Sequence, residues 1–352
     1  MNETLDMKDV RSYSIENIEE LMISYGEPKF RAKQLFAWLH EKRVENFSDM
    51  TNLPASLRKK LIEDCRLITL KPVKVLESAI DGTCKYLFEL YDGNIIESVF
   101  MRYKHGNSVC ISSQVGCRMG CKFCASTLDG CVRNLTASEM LEQIYRIEAH
   151  KGERISNVVI MGSGEPLDNF DNLIRFIDLI TDEKGFNLSG RNITVSTCGI
   201  VPKMYELAEK GYPLTLAVSL HASTQEKRKA LMPIANKYDI HELIKACKDY
   251  FEKTGRRMTF EYSLVEGVND GDEDARELIA LLKGLNAHIN LIPVNPIKER
   301  NFTQTKKEAV LIFKDKLEKS GKNVTIRREM GRDINGACGQ LRRSYIDESK
   351  KE

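Results

Sequence analysis

Three cysteines stand within eight residues of one another in the stretch VGCRMGCKFCAST, residues 115–127, at the spacing C-x3-C-x2-C: Cys117, Cys121 and Cys124. Thiolates ligate zinc and iron–sulfur clusters and also form disulfides, so number and spacing must decide among these uses. Structural zinc takes four ligands, commonly as two separated pairs. No second pair is present here, although Cys110 or Cys131 could complete a set. An ordinary [4Fe–4S] cluster also takes four cysteines; three leave one iron open for a substrate or cofactor. Gly116 and Gly120 precede the first two cysteines and let the backbone wrap closely around whatever the thiols hold.

The bulk of the chain frames this loop. Its 352 residues are enough for a large buried core, one big domain with an accessory one. The start, MNETLDMKDV, has no apolar stretch of the kind a signal peptide needs. No charge-free apolar run reaches the roughly 18 residues that would span a bilayer. The expectation is a cytoplasmic protein that does not engage a membrane. In a reducing cytosol a tight cysteine cluster points to metal binding or catalysis rather than to a static disulfide framework. The formal net charge of +2, from 53 Lys and Arg against 51 Asp and Glu, lacks the strongly basic signature of a typical nucleic-acid-binding domain. RNA contact would therefore depend on local patches: KFRAK, RYKH around Arg102, TIRRE and QLRRS.

The elements that must position the loop follow from patterning. Residues 1–68 are expected to form a small helical accessory module. SIENIEELMISYG has a Ser cap and ends at Gly26, PKFRAKQLFAWLHEKR opens on a Pro, and LPASLRKKLIEDC makes a third helix. Phe30, Leu35, Phe36, Trp38 and Leu39 are its expected core. Residues 69–105 carry a β-hairpin, KYLFELYDGNIIESVFMRY, turning at Asp92-Gly93. From 106 to 345 strand-like segments (ISNVVIMG, RNITVSTC, PLTLAVSL, RMTFEYSL, AHINLIPV, NVTIRRE) mostly alternate with amphipathic helices. Capping boxes are expected at Thr136/Glu139, Asp239/Glu242 and Thr305/Glu308. Such alternation implies an α/β protein with a parallel sheet, either an open doubly wound sheet or a full or partial barrel. In either, the active site belongs at the C-terminal ends of the strands.

C-x3-C-x2-C with an aromatic residue, Phe123, just before the last cysteine resembles the signature of radical S-adenosylmethionine (SAM) enzymes. Further segments sharpen the likeness: VVIMGSGEPLDNF, ITVSTCGIVPK, AVSLHAS, NLIPVNP and VTIRREMGRDINGACGQL. Together, from KFRAKQLFAWLH to CGQLR, they resemble the RlmN/Cfr family, and within it the dual-specificity adenine-C2 methyltransferases of 23S rRNA and tRNA. The family fold is a partial (β/α)6 barrel with a small helical N-terminal domain, in agreement with the patterning. Ser163 in MGSGEP stands where the family would have an apolar residue, and VNPIKER differs somewhat around Pro296.

The resemblance implies a chemistry and a set of residues. Adenine C2 lies between two ring nitrogens and is too poor a nucleophile to displace a methyl group from SAM, whereas a carbon radical can add to it. The family uses a [4Fe–4S] cluster on Cys117, Cys121 and Cys124, and two SAM molecules per turnover. One methylates a cysteine, matched here by Cys338. The other yields a 5′-deoxyadenosyl radical that takes hydrogen from that methyl group. Gly336 and Gly339 flank Cys338 and would let the thiol move between positions. Cys110 matches the thiol that resolves the protein–RNA adduct through a transient disulfide with Cys338. Glu97 matches the base that takes the C2 proton, although on its own pattern it reads as a solvent-facing residue of a hairpin strand. The SAM-binding positions are Gly164, Glu165, Ser196, Ser219, Leu220, His221 and Asn295. Cys65, Cys84, Cys131, Cys198 and Cys247 receive no role. The implied partners are 23S rRNA, tRNA and an electron donor such as flavodoxin or ferredoxin, with the chain a monomer. The alternatives are a Cfr-type adenine-C8 methyltransferase and a zinc-stabilised RNA-binding protein without catalysis.

Overall fold

The computed structural model describes residues 7–296, 300–334, 341 and 345. Strand β1 (Lys8–Asp9) leads into helices α1 (Ile15–Ser24), α2 (Phe30–Phe36, continued by a wider turn over Ala37–Glu41) and α3 (Ala55–Asp64), which ends at β2 (Cys65–Arg66), the parallel partner of β1. The Ser14 hydroxyl caps α1, as its sequence predicts. The aromatic positions divide. Leu35, Phe36 and Leu39 are buried, whereas Phe30 is 54% exposed and Trp38 is half-buried. Ala32, Leu35, Phe36 and Leu39 form the helical stripe that meets the core, and Phe30 and Trp38 fall off it. Outside the stripe, Arg31 lies over Phe30 and Lys42 over Trp38.

Three antiparallel strands follow: β3 (Lys71–Glu77), β4 (Cys84–Glu89) and β5 (Ile95–Tyr103). The β4–β5 hairpin turns at Asp92-Gly93 as expected, with Gly93 at a φ of 77°. Next come β6 (Gly106–Cys110), the short hairpin β7 (Gln114–Gly116) and β8 (Cys131–Asn134) around the cysteine loop, and α4 (Ala137–Lys151). The alternation then runs β9 (Ile155–Ile160), α5 (Phe170–Thr181), β10 (Ile193–Thr197), α6 (Val201–Lys210), β11 (Thr215–Ser219), α7 (Gln225–Leu231), α8 (Ile240–Thr254), β12 (Met258–Leu264), α9 (Asp272–Leu281), β13 (Ala287–Pro293), α10 (Lys307–Lys319) and β14 (Asn323–Ile326).

One ten-stranded sheet holds this together in the order β14-β13-β12-β11-β10-β9-β6-β5-β4-β3. The strands from β6 and β9 to β14 are parallel, and β5, β4 and β3 extend the sheet antiparallel from β6. The six barrel segments read from the sequence are β9–β14. β6, GNSVC beside the cysteine loop, adds a further parallel strand, hidden because its first three residues are Gly, Asn and Ser and show no strand pattern. The architecture is the expected incomplete barrel with its hairpin extension, and its helices cover the outer face through Leu173, Phe176, Leu207, Leu243 and Phe313.

Capping follows local chemistry with one exception. Thr136 and Glu139 make the expected reciprocal box, and Asp239 accepts from the backbone of His241 and Glu242, the first half of its box without the return bond from the Glu242 side chain. Thr305 caps nothing: its hydroxyl donates to Asp270 Oδ2 at 2.8 Å, and α10 starts at Lys307. The helix begins one residue later than the pattern suggests, with Lys306 at its N-cap, so the Thr305 oxygen is not placed to accept from the first-turn amides.

The helical module is fastened to α4 by buried charge. Arg11 donates to the carbonyls of Ile68 (2.7 Å) and Val44 (2.6 Å) and pairs with Glu142, whose other oxygen lies 3.1 Å from Arg146 Nε and accepts from Leu70 N at 3.2 Å. Beyond β14, Asp333 accepts from Ser78 Oγ (2.6 Å) and Ala79 N (2.9 Å), while Leu341 packs on Leu87 and Ile95. Cys338, with Gly336 and Gly339, lies outside the described residues.

Candidate active site

The cysteine loop is pinned at its base by backbone. Cys117 N donates to Gly130 O at 2.8 Å. Gly116 has a φ of 79°, and a Cβ there would stand 2.1 Å from Gly130 O, so only glycine fits. Thr127 Oγ1 closes the loop by donating to the carbonyls of Cys121 (3.0 Å) and Cys124 (2.9 Å). Cys117 and Cys121 are buried and Cys124 is half-buried, with Cys121 and Cys124 packed among Phe123, Cys198, Leu231 and Met232. Burial pushes the Cys117 thiol up to about 12, with the Cys124 and Glu165 charges adding, and it raises Cys121 likewise. Three thiolates in this pocket therefore need a cationic centre. A cluster takes one thiolate per iron, and three thiols on one short loop, two of them packed against Leu231 and Met232 with no carboxylate or imidazole among those neighbours, are a donor set that fits an iron–sulfur cluster.

Across from the loop, the Gly-Glu-Pro segment after β9 is stitched to β7. Ser113 N and Gln114 N both donate to Ser163 O, at 2.9 and 3.1 Å. The Gln114 side chain is fully buried. Its Oε1 accepts from Glu165 N (2.9 Å), and its Nε2 donates to Asp168 Oδ2 and Asn134 Oδ1 (2.8 Å each). Asp168 also receives Arg118, from the middle of the cysteine motif, through two bonds of 2.7 and 2.9 Å. Gly164 adopts a φ of 108°, and a Cβ there would lie 2.6 Å from Gln114 Cβ. Glu165 is buried, held by Leu167 N (3.1 Å) and Cys198 N (2.7 Å), and burial raises its pKa. Ser163 is buried as an apolar residue would be, and its hydroxyl finds no partner.

The other expected SAM positions lie at or just beyond strand ends: Ser196 in β10, Ser219 closing β11, Leu220 and His221 after it, and Asn295 after β13. His221 is a left-handed residue (φ 55°) whose Nδ1 accepts from Ser263 N at 2.9 Å, so its ring proton sits on Nε2. Burial holds it neutral, with its pKa down to about 3, and its ring meets Phe123 edge-on at 4.7 Å. The imidazole thus bridges the cysteine loop and the strand ends.

A cavity of about 320 Å³ opens on the barrel interior and is lined by residues that include Val99, Met101, Cys110, Met161 and Asn295. Val99 of β5 is the antiparallel partner of Cys110 of β6, so their side chains share a face, and Glu97, two residues earlier, shares it too. Glu97 is not solvent-facing as its hairpin position alone would have it: it is 3% exposed and 3.0 Å from the buried Lys85 ammonium. The structure therefore brings Glu97 and Cys110 to one buried face, and Asn295, itself exposed, lines the same cavity as Cys110. Sequence reasoning missed Lys85, Gln114, Arg118 and Asp168. Only the last two carried a signal, being charged residues inside the two motifs.

A family model of the radical SAM superfamily matches residues 111–279, and one described as the ribosomal RNA large subunit methyltransferase N-terminal domain matches residues 8–67. A protein of Lachnospira eligens named probable dual-specificity RNA methyltransferase RlmN is 62% identical over 342 residues, 97% of this chain and 98% of its own. The chain belongs to the RlmN family. A Lachnoclostridium phytofermentans relative of the same name is 57% identical over 97% of this chain and 96% of its own. The crystal structure of a radical SAM methyltransferase from Sphaerobacter thermophilus superposes with a TM-score of 0.90 at 41% identity, covering 95% of this chain and 98% of that one. RlmN membership makes the chain a radical SAM methyltransferase whose cofactors are a [4Fe–4S] cluster and SAM, and it removes the zinc-stabilised, non-catalytic alternative. Among the described residues, no helix is long and apolar enough to cross a membrane.

Proposed function

We infer that the chain methylates C2 of an adenosine in 23S rRNA and in tRNA, with Cys338 carrying the methyl group, Cys110 resolving the adduct and Glu97 taking the C2 proton. The observation that carries the reading is the shared interior face of Glu97 and Cys110 beside the cysteine loop, in a chain 62% identical to an RlmN relative. When bound, the cluster and SAM supply a carbon-centred radical strong enough to take hydrogen from a methyl thioether.

The protein's own groups do the rest. Cys117, Cys121 and Cys124 would hold the cluster, one thiolate to each of three irons. Glu165, fixed by two backbone amides, is aimed to accept from the SAM amino group, and Gly164 permits close approach of the backbone to the ligand. The hydroxyls of Ser196 and Ser219, the Leu220 backbone, the Nε2–H of His221 and the Asn295 amide complete the SAM contacts. Lys85 holds the Glu97 carboxylate in place, since a general base must stand within hydrogen-bond reach of its proton. The methyl group moves as a carbon bonded to sulfur. Attack of the Cys110 thiolate on that sulfur forms an S–S bond with Cys338 and breaks the S–C bond to the RNA; the bonding pair leaves with the methylene carbon, which takes up a proton to become the methyl group. A target adenosine must leave its stack to enter a cavity of this depth. Electrons come from a flavodoxin or ferredoxin, and the chain works as a monomer.

The test is anaerobic turnover of cluster-reconstituted protein with SAM, reductant and an rRNA fragment, followed by mass spectrometry of the nucleosides against C2 and C8 standards. A C2 product that disappears in Cys338→Ala is expected. A C8 product, or a C2 product that survives the substitution, overturns the assignment.

A further inference from the structure

Arg228, near the end of α7, is fully buried. Its Nη2 donates to Cys198 O at 2.7 Å, its Nη1 reaches Tyr238 O at 3.5 Å, and its Nε has no partner. Among the described residues no carboxylate lies within ion-pair distance of it. Arg11, equally buried, has Glu142. An arginine stays charged in proteins, and an interior cation without an anion is strongly unfavourable, so a negative group is required nearby.

The surroundings identify where that charge resides. The titratable groups that face Arg228 are Cys121, Cys198, Cys247 and the neutral His221, none of which is a carboxylate. The end of α7 is bonded directly to the cysteine loop: Lys122 N donates to Leu231 O at 2.9 Å, and Leu231 and Met232 pack with Cys121 and Cys124. The Pro233 ring stands 3.4 Å from where a Gly120 Cβ would be. The guanidinium thus lies one turn behind the wall of the cluster pocket. A [4Fe–4S] core with three thiolates is net anionic, and one-electron reduction adds another negative charge. A fixed buried cation favours that reduced state, because Coulomb interactions in a poorly screened interior are strong.

We propose that Arg228 is the buried counter-charge of the iron–sulfur cluster, a positioning residue that raises the cluster's reduction potential and so eases the electron transfer that starts each turnover. The inference rests on the cluster assignment above. The Cys198 carbonyl that Arg228 grips belongs to the same residue whose amide holds Glu165, so one side chain braces both the cluster wall and the SAM carboxylate ligand.

The experiment is an anaerobic potentiometric titration of reconstituted full-length protein, read by electron paramagnetic resonance without SAM or RNA, with iron and sulfide counted in every sample. Arg228→Met removes the charge at similar length, and Arg228→Lys keeps it. Cys247→Asp sets a carboxylate against the guanidinium without removing it, since Cys247 is buried and within its field. The expected result is at least a tenfold fall in the reduced-to-oxidised ratio at fixed potential for Arg228→Met and Cys247→Asp, 59 mV for a one-electron couple. Arg228→Lys should stay near wild type. Full iron content with an unchanged potential in Arg228→Met overturns the proposal. If that variant does not hold its cluster, the same result in Cys247→Asp does so. A wild-type protein that binds no iron would instead refute the cluster assignment itself.

Discussion

Substituting Gln114→Leu should separate the cysteine loop from the Gly-Glu-Pro segment while leaving the sheet intact. The side chain is fully buried and makes three hydrogen bonds: one from Glu165 N, one to Asn134 and one to the Asp168 carboxylate. Leucine of similar size keeps the volume but strands the Glu165 amide, at a cost of about 1–3 kcal/mol for a buried unsatisfied donor. Loss of the charge-assisted bond to Asp168 adds about 1.5–3 kcal/mol. Taking about 4 kcal/mol in all, and about 0.7 kcal/mol/K for the unfolding entropy of a chain of 352 residues, the melting temperature falls by about 5 °C. The more specific effect is on SAM. Glu165 is held through its own backbone, so freeing that backbone should weaken SAM binding at least tenfold, or about 1.4 kcal/mol. The assay is calorimetry of SAM binding to cluster-loaded protein, with iron content and thermal unfolding measured on the same preparations. SAM affinity within twofold of wild type, with the cluster retained, would refute the claim that Gln114 positions the SAM segment.

Three further outcomes are expected. Gly164→Ala forces a Cβ to within 2.6 Å of Gln114 Cβ at a φ of 108°, so it should cost about 1–3 kcal/mol and more than tenfold in SAM affinity with iron unchanged; calorimetry showing normal affinity contradicts the crowding argument. Glu142→Ala leaves Arg11 buried without its anion and should destabilise the chain by about 3–5 kcal/mol in urea unfolding; a loss below about 1 kcal/mol would mean that the network relaxes. His40 and His221 are both held down to about 3 by burial, from an ordinary 6.5. A depressed base binds more protons unfolded than folded, so this stability is complete above about pH 6.5. It is lost as pH falls toward 3, at up to ~1.4 kcal/mol per unit for each residue. Urea unfolding at pH 7.5 and 5.5 should show a smaller drop in His40→Gln than in wild type; an equal drop removes His40 from the account.

Much of this protein is written locally. The cysteine spacing, the Asp92-Gly93 turn and the Thr136 cap all act within a few residues, and each is found where the sequence puts it. The strand–helix alternation fixes a parallel sheet because a helix must cross between parallel strands. What the sequence could not display are pairings across long separations. β6 opens on Gly, Asn and Ser and carries no strand pattern of its own, and it is defined by pairing with β9 and β5. Thr305 has a good cap pattern, but α10 takes Lys306 as its N-cap and the Thr305 hydroxyl turns to donate to Asp270, 35 residues away. Glu97 reads as a surface residue until β5 joins the sheet edge, where its face turns inward and Lys85 meets it. The links of Gln114 to Asp168, of Arg118 to Asp168, and of Arg228 to the Cys198 carbonyl join residues 30 to 54 positions apart. Local chemistry therefore determined which groups the chain carries for the cluster and for SAM. Tertiary packing alone decided which charges were buried beside them, because burial and long-range contact are properties of the folded sheet and not of any window of sequence.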